Sequence, residues 1–494
     1  MKPIKLNQHN LSAISGVTLP SYDRRALKPS ILHIGLGHFH RAHQAAYLDE
    51  LLNRGLTDQG LFEMNIIPDS FPLGAILAGQ DYLYTLMTKD PGGVEAVRVA
   101  GPILGYLNAS GNPGAALDRI ASKDTQIVSL TVTEKGYYFD HHREDLRWGE
   151  GPVARDVEHP EAPGTAAGYL AAGLAARYRT GRAPLTIMCC DNVPANGKLL
   201  KKCVLLLCKK SFPEIVNWIE DEVGFPCSMV DRITPGTTEA LIRELENRYG
   251  VSDGWPVCGE DFRQWVLEDN FKTPVPDYGA LGVQIVKNVE PYELMKMRLL
   301  NGSHSALAFP SYLLGYRRVD EGISDPLIRE FIRRRYMEEI TPTLEPVPGI
   351  DLEAYKDTLI RRFSNKSIGD TLLRLASDSS SKIPTFMLPP LRGTVNQGGK
   401  NDAVLFALAG WARFLSFIDE EGKPIPMEDP KGAFLKEEAA KAPAAPEAFL
   451  NAIGLEALEG GKRAALAERF KTHLERISRR GMRAALEQFL ANPE

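Results

Sequence analysis

Residues 31–52 read ILHIGLGHFHRAHQAAYLDELL: an apolar strand, a turn at Gly35, Leu36 and Gly37, and an amphipathic helix. This stretch decides the fold class, because a strand that turns on glycine into a helix N-terminus opens a parallel βαβ unit. Main-chain N–H groups and the helix dipole then face the place where the pyrophosphate of a dinucleotide binds. His40 stands where the GxGxxG fingerprint carries its third glycine. A bare glycine turn in any α/β protein reads the same way, so the motif needs support from the rest of the chain.

Around this unit the first half alternates short apolar runs with helical periodicities. Segments 30–37, 61–67, 125–134 and 184–192 read as strands, and 41–54, 114–122 and 164–178 as helices. The last two strand segments are rich in Ile, Val, Leu and Thr with little alternation, which predicts central strands covered on both faces. From about Tyr292 helical periodicities dominate, at 292–314, 325–337, 352–362, 367–377, 402–416, 461–475 and 480–490. The expected architecture is α/β: a Rossmann-like doubly wound domain over residues 1–286, followed by a mainly α-helical domain over 287–494. The Pro-rich, charged stretch 418–447 reads as a surface excursion between helices.

Composition removes several classes of function. At 494 residues the chain exceeds one ordinary core and predicts two or three domains. Its 58 basic residues against 63 acidic ones leave no positive excess to neutralise a phosphate backbone, so nucleic acid is not an expected partner. The opening MKPIKLNQHNLSAISGV has no apolar core of signal-peptide length, and the longest apolar runs fall short of a membrane span. A cytoplasmic protein without a membrane partner is expected. Cysteines 189, 190, 203, 208, 227 and 258 show no CxxC spacing and sit mostly in apolar runs, which predicts reduced, buried thiols.

An acidic residue beyond the second strand can accept hydrogen bonds from the adenosine ribose of NAD, and Asp69, after LFEMNIIP, fits that place. It lies 34 residues past Gly35, which requires a longer first helix and loop than usual. Ser70, Phe71 and Pro72 follow without an Arg or Lys for a 2′-phosphate, favouring NAD over NADP. His38, His40 and His43, with Arg41, gather at the helix start. Their spacing shares no single helical face, so phosphate contact or packing is expected there and no metal.

The stretch PYELMKMRLLNGSH, residues 291–304, carries the chemistry. On an α-helix at about 100° per residue, Lys296, Asn301 and His304 fall within an arc of about 140°. A snorkelling lysine, a capping asparagine and a core histidine give the same pattern. Yet removing an alcohol proton needs a base, and the resulting alkoxide needs hydrogen-bond donors. A buried lysine is less basic because desolvation disfavours its charged form, which makes Lys296 the candidate base. Asn301 supplies one amide donor, Asn192, after the strand TIMCC, a second, and His304 a contact to a substrate hydroxyl.

These segments, with SLTVTEKGY (129–137), CDNVPANG (190–197), MVDRITP (229–235), EDFRQWVLED (260–269) and KMRLLNGSH (296–304), resemble the polyol-specific long-chain dehydrogenases and reductases of the mannitol dehydrogenase type. The resemblance spans nearly the whole chain. It implies an NAD-dependent, metal-independent oxidoreductase that interconverts a sugar alcohol and a ketose and acts as a monomer. By resemblance Lys296 is the general base, Asn192 and Asn301 stabilise the alkoxide, His304 binds substrate, and Glu293 helps pass the proton to solvent. Val230, Asp231, Arg374 and Lys382 match positions lining the polyol pocket, and Gly35, Gly37, Phe39, His40, Arg41, Asp69, Thr133 and Glu134 are the implied cofactor contacts. The family includes hexuronate reductases with the same lysine and asparagines. Residues 340–365 and 377–386 look more like the mannitol dehydrogenases than the fructuronate reductases. Arg374 and Lys382 can pair a carboxylate, whereas Asp231 disfavours one, so a neutral polyol is the expected substrate. A dinucleotide-binding sensor without catalysis is the third reading, opposed by the presence of a base with two donors.

Overall fold

In the computed structural model, which describes residues 3–69, 71–141 and 143–491, the decisive strand lies in the middle of a five-stranded parallel sheet. Its strands are β1 (Lys28–Ile34), β2 (Gln59–Asn65), β3 (Ile103–Asn108), β4 (Ile127–Leu130) and β5 (Thr186–Cys189), in the order β5-β4-β1-β2-β3. The winding reverses between β1 and β4. Open α/β sheets bind their ligands at such a switch point, beyond the carboxyl ends of the strands.

Alternate side chains send the sheet into two cores. Leu32, Ile34, Val128, Leu130 and Ile187 pack with residues of helices Pro113–Ala121 and Ala166–Arg179. Ile31, Leu61, Ile103 and Ile127 pack with Ala45, Leu48 and Leu52 of helix Gln44–Asn53 on the other face. β5, expected to be central, is the edge strand. Its apolar composition survives there because the Ile187 N–H donates to the Gly224 carbonyl at 2.8 Å and the Gly224 N–H to that of Leu185 at 3.0 Å, closing the edge.

The helix expected over 41–54 is two helices, His38–Ala42 and Gln44–Asn53, broken at His43, where φ is −117° and ψ −90°. Strands Tyr84–Lys89 and Glu95–Ala100 pair antiparallel around Asp90-Pro91-Gly92-Gly93, with Val257–Glu260 beside the first. A second three-stranded sheet holds Ser228–Asp231, Gln264–Glu268 and Gln284–Val286.

Packing divides the chain into units Met1–Val289 and Glu290–Glu494. Every element from Glu290 to Ala491 is helical. Helix Asp402–Phe414 (DAVLFALAGWARF) is apolar nearly all round and forms the centre of the second unit, packed on Gly302–Leu313 and Gly460–Ala491. The two helices expected after 460 run together and kink at Gly481, whose φ of +80° suits glycine. The stretch 418–447 is not all irregular: it carries helix Gly432–Lys441, which buries Leu435 and Ala439 one turn apart and leaves most of its charges outside. Among the described residues no helix is long and apolar enough to cross a membrane.

Candidate active site

The glycine turn sits at the switch point and is shaped by its neighbours. Gly35 has φ +114°, and a Cβ there would fall 2.2 Å from the Thr131 carbonyl oxygen beyond β4, so only glycine fits. At Gly37 a Cβ would meet only the Gly35 carbonyl oxygen, at 3.6 Å. The Leu36 N–H donates to Asn65 Oδ1 at 2.9 Å, and Asn65 Nδ2 donates to Asp69 at 2.9 Å. The Tyr106 hydroxyl completes the chain at 2.7 Å from Asp69. Partial burial works against the Asp69 charge, but donors from Asn65, Asn108 and Tyr106 outweigh it and hold the carboxyl below its usual range. Asp69 is thus an exposed carboxylate fixed beyond β2. Ser70 lies outside the described residues.

On the β4 side Thr131 Oγ1 donates to the Gly35 carbonyl at 3.2 Å. Thr133, with φ +66°, donates its N–H to Asp191 Oδ1 at 2.8 Å, and the Tyr137 hydroxyl reaches Asp191 Oδ2 at 2.7 Å. Glu134 follows Thr133 on the surface, and Asn192 is exposed just beyond β5. Gly35, Gly37, Asp69, Thr133, Glu134 and Asn192 therefore share the carboxyl edge of the sheet. A close-approach glycine turn with a carboxylate beyond the second strand fits NAD.

The cationic side chains after the turn do not share that edge. His40 and Arg41 are fully buried, so the expected phosphate contact of their side chains is not what the fold provides. Arg41 donates from Nη1 to the Trp255 carbonyl at 2.7 Å and lies over the Tyr84 ring. His43 is buried with Nε2 at 3.0 Å from the Gln264 carbonyl, and Phe39, half-buried, stacks on its ring. His40 Nε2 lies 2.9 Å from Glu63 Oε1, and its ring stacks on His33 at 3.3 Å. His33, His40 and Glu63 offer ligand atoms within 4.8 Å of one another, the closest approach to a metal site among the described residues. The two rings, however, are only 13° from parallel, so their in-plane lone pairs do not converge on one ion. His33, Glu63 and Ser129 occupy matching register on β1, β2 and β4, and His33 Nδ1 lies 2.8 Å from Ser129 Oγ. This is a hydrogen-bonded polar row. Burial pushes Glu63 up to about 7 and His40 down to about 3, disfavouring both charges.

In the second unit, Glu293 lies on helix Glu290–Met295, Lys296–Asn301 is a π turn, and His304 lies on helix Gly302–Leu313. The sequence pattern assumed an unbroken α-helix. In a π turn residues i and i+5 are joined by the hydrogen-bonding pattern, so Lys296 and Asn301 stand one turn apart, nearer alignment than α geometry allows. Lys296 is 8% exposed and Glu293 9%. Asn301 Nδ2 is buried with no hydrogen-bond partner, and His304 stacks on Phe363 with centroids 4.5 Å apart. Tyr292 and Arg298 anchor the turn, the hydroxyl of Tyr292 to the Pro348 carbonyl at 2.8 Å and Arg298 Nη1 to Thr343. Gly302 is required by close approach, since a Cβ would lie 2.7 Å from the Tyr336 hydroxyl.

Arg374 and Lys382 lie on helices Leu372–Ala376 and Ser379–Phe386, which pack on helix 302–313; the latter also packs on the π turn. Val230 and Asp231 are buried at the end of strand Ser228–Asp231 in the first unit. Asn65 and Asp191 escaped the sequence reading, although each is a polar residue at the carboxyl end of a strand, where a ligand-edge role is to be sought. All six cysteines lie among the described residues, buried and outside any disulfide, with burial pushing the Cys203 and Cys208 thiols up to about 12.

A doubly wound dinucleotide-type unit joined to an all-helical unit bearing a buried lysine and an unsatisfied amide defines a two-unit dehydrogenase architecture. Residues 29–279 match the family model of the mannitol dehydrogenase Rossmann domain, and residues 288–478 that of the mannitol dehydrogenase C-terminal domain. The chain belongs to the mannitol dehydrogenase family. It is 39% identical over 490 residues to a mannitol 2-dehydrogenase of Phaeosphaeria nodorum, covering 98% of this chain and 86% of the relative. It is 38% identical to mannitol dehydrogenase 2 of Saccharomyces cerevisiae, covering 98% and 97%. Among solved structures it is similar to Pseudomonas fluorescens mannitol 2-dehydrogenase in ternary complex with NAD and D-mannitol, with TM-score 0.89, 37% identity and coverage of 99% and 100%. A substrate-free D-sorbitol dehydrogenase gives TM-score 0.88 at 32% identity, covering 98% and 100%.

Proposed function

We propose that this chain is an NAD-dependent, metal-independent polyol dehydrogenase that interconverts a sugar alcohol and a ketose, of the mannitol/fructose or arabinitol/xylulose type. The observation that carries the reading is the π turn, where the buried Lys296 shares one turn with an Asn301 amide whose buried nitrogen lacks a partner. An unsatisfied buried donor is costly in a resting protein, by about 1–3 kcal/mol, and is explained by a ligand oxygen that it serves. The solved relative in complex with NAD and D-mannitol supports the substrate class.

In this mechanism Lys296 Nζ takes the hydroxyl proton, and Asn301 donates to the oxygen as it becomes negative. Asn192 is the second donor that the family resemblance implies. Glu293, just before the base, accepts the proton onward, and His304 holds a neighbouring hydroxyl. Bound NAD supplies the hydride acceptor. The first unit, taken as 1–286, serves the dinucleotide through Gly35, Gly37, Thr133, Glu134 and the ribose-binding Asp69. The second, 287–494, serves the substrate through Arg374 and Lys382; Val230 and Asp231 are the substrate contacts that the family resemblance implies in the first unit. Buried, protonated thiols suit a reducing compartment, and we read the enzyme as a cytoplasmic monomer.

NADH formation from D-mannitol, D-arabinitol, D-sorbitol and D-mannonate tests the reading. Mannitol or arabinitol should exceed mannonate in kcat/KM by at least about tenfold. A preference for mannonate would assign the chain to the hexuronate reductases instead.

A further inference from the structure

Arg374 is already engaged. Its Nε donates to Asp370 Oδ1 at 2.5 Å and its Nη2 to the other carboxylate oxygen, a two-point fork. Asp370 is 10% exposed at its side chain and Arg374 56%, so the pair is half in solvent with its carboxylate shielded. Oδ1 of Asp370 also accepts the Thr371 N–H at 2.9 Å, fixing the carboxylate to the start of the helix that carries Arg374. Lys382 donates to the Arg374 and Leu375 carbonyls, both at 3.1 Å, so two of its three ammonium hydrogens are committed to the main chain. Arg374, Asp370, Asp378 and Asp429 are among the charged groups acting on Lys382.

The cluster lies beside the chemistry. Helix Ser379–Phe386 packs on the π turn, and the Phe386 carbonyl oxygen would be 3.3 Å from a Cβ on Gly302. Helix Leu372–Ala376 packs on the helix of His304. An aldonate or uronate must present its carboxylate to a cation that is not already matched. A polyol hydroxyl needs only a hydrogen-bond partner, and an ion-paired guanidinium and a tethered ammonium still have N–H groups to donate to it.

We propose that Asp370 is a specificity-determining residue: by holding Arg374 in a two-point ion pair it removes the net positive charge that a substrate carboxylate would require, and so commits the site to neutral polyols. The inference rests on the polyol dehydrogenase reading and deepens it. It works by exclusion, because an anionic substrate must displace Asp370 from the guanidinium or lie against its charge.

D-Mannitol and D-mannonate differ at one terminus, an alcohol in the first and a carboxylate in the second, which isolates the charge. The test is kcat/KM for both with NAD, on the full chain, in the wild type and in Asp370→Asn, Asp370→Ser and Asp370→Glu. The neutral variants should raise the mannonate-to-mannitol ratio at least about tenfold, a gain that shrinks as salt is added, while Asp370→Glu keeps a ratio near wild type. Circular dichroism and thermal unfolding identify which neutral variant is folded, and the ratio is read in that one. A folded neutral variant with an unchanged ratio, or a gain insensitive to salt, overturns the role of Asp370 and leaves the polyol reading standing. A wild type that oxidises no polyol with NAD overturns the reading and the inference with it.

Discussion

The carboxylate of Asp191 accepts the main-chain N–H of Thr133 at 2.8 Å and so ties the loop after β4 to the end of β5. Thr133 needs that restraint, because its φ of +66° and ψ of 163° belong to a region otherwise left to glycine, at a cost of about 1–3 kcal/mol. Burial pushes the Asp191 carboxyl up, and the donors from Tyr137, Thr133 and Val132 offset only part of that. Asp191→Ala should strip the Thr133 N–H of its acceptor and leave the Tyr137 hydroxyl only Cys189 Sγ, at 2.7 Å, destabilising the protein by about 1–3 kcal/mol in urea unfolding. It should also weaken NAD binding several-fold by fluorescence titration. Thr133→Gly should instead raise stability while loosening the cofactor. Unchanged NAD affinity in both variants would remove this loop from the cofactor site.

The parallel sheet and the change to helices near residue 290 were legible because both leave long patterns: apolar β-branched runs in the first half, spaced apolar residues in the second. The position of β5 was not, since burial by the segment around Gly224 gives an edge strand the composition of a central one. The break at His43 was hidden too, because an interrupted helix keeps the same apolar spacing on both sides. In the site, Lys296 and Asn301 were legible as residue types on one face. The π turn that aligns them was not, because it leaves the apolar spacing unchanged and the contacts around it, Gly302 against Tyr336 and Arg298 with Thr343, join residues far apart along the chain. The partners Asn65, Asp191 and Asp370 carry no spacing motif, and their roles arise from hydrogen bonds that only the folded chain makes.

Asp69 stands beyond β2 as an exposed carboxylate held by Asn65 and Tyr106. A ribose with free hydroxyls can donate to it, whereas a 2′-phosphate is repelled. Asp69→Ala should raise kcat/KM with NADP relative to NAD by about tenfold or more. Steady-state kinetics with both cofactors checks this, and a constant ratio would mean that the ribose is held elsewhere.

Acid sensitivity follows from the buried histidines. Burial pushes His43 down to about 3, with only partial compensation from the Gln264 carbonyl. The unfolded chain therefore binds a proton near pH 6.5 that the folded chain refuses. Nothing is lost above pH 6.5, and between 6.5 and 3 stability falls as pH falls, by up to about 1.4 kcal/mol per pH unit for this residue. His43→Phe should cost about 1 kcal/mol at pH 7 through the lost hydrogen bond. From pH 7 to 5 it should then lose about 2 kcal/mol less than the wild type. Urea unfolding at the two pH values decides it, and parallel losses would show that His43 does not titrate on unfolding.

Lys296 bears the largest predicted effect. As the base it acts on the hydroxyl proton and not on the cofactor, so Lys296→Ala should lower kcat by about two to four powers of ten with NAD affinity nearly intact. Small primary amines in the buffer should restore part of the rate, since the vacated volume beside Asn301 opens a place for an external base. The same lysine makes a cation unnecessary for polarising the alcohol, so wild-type turnover should survive exhaustive chelation. Truncation of a merely structural lysine, packed at 8% exposure, would instead lower the unfolding free energy and be insensitive to amines. Near-wild-type kcat in the folded variant would remove Lys296 from the chemistry, and loss on chelation restored by zinc alone would replace the lysine mechanism with a metal-assisted one.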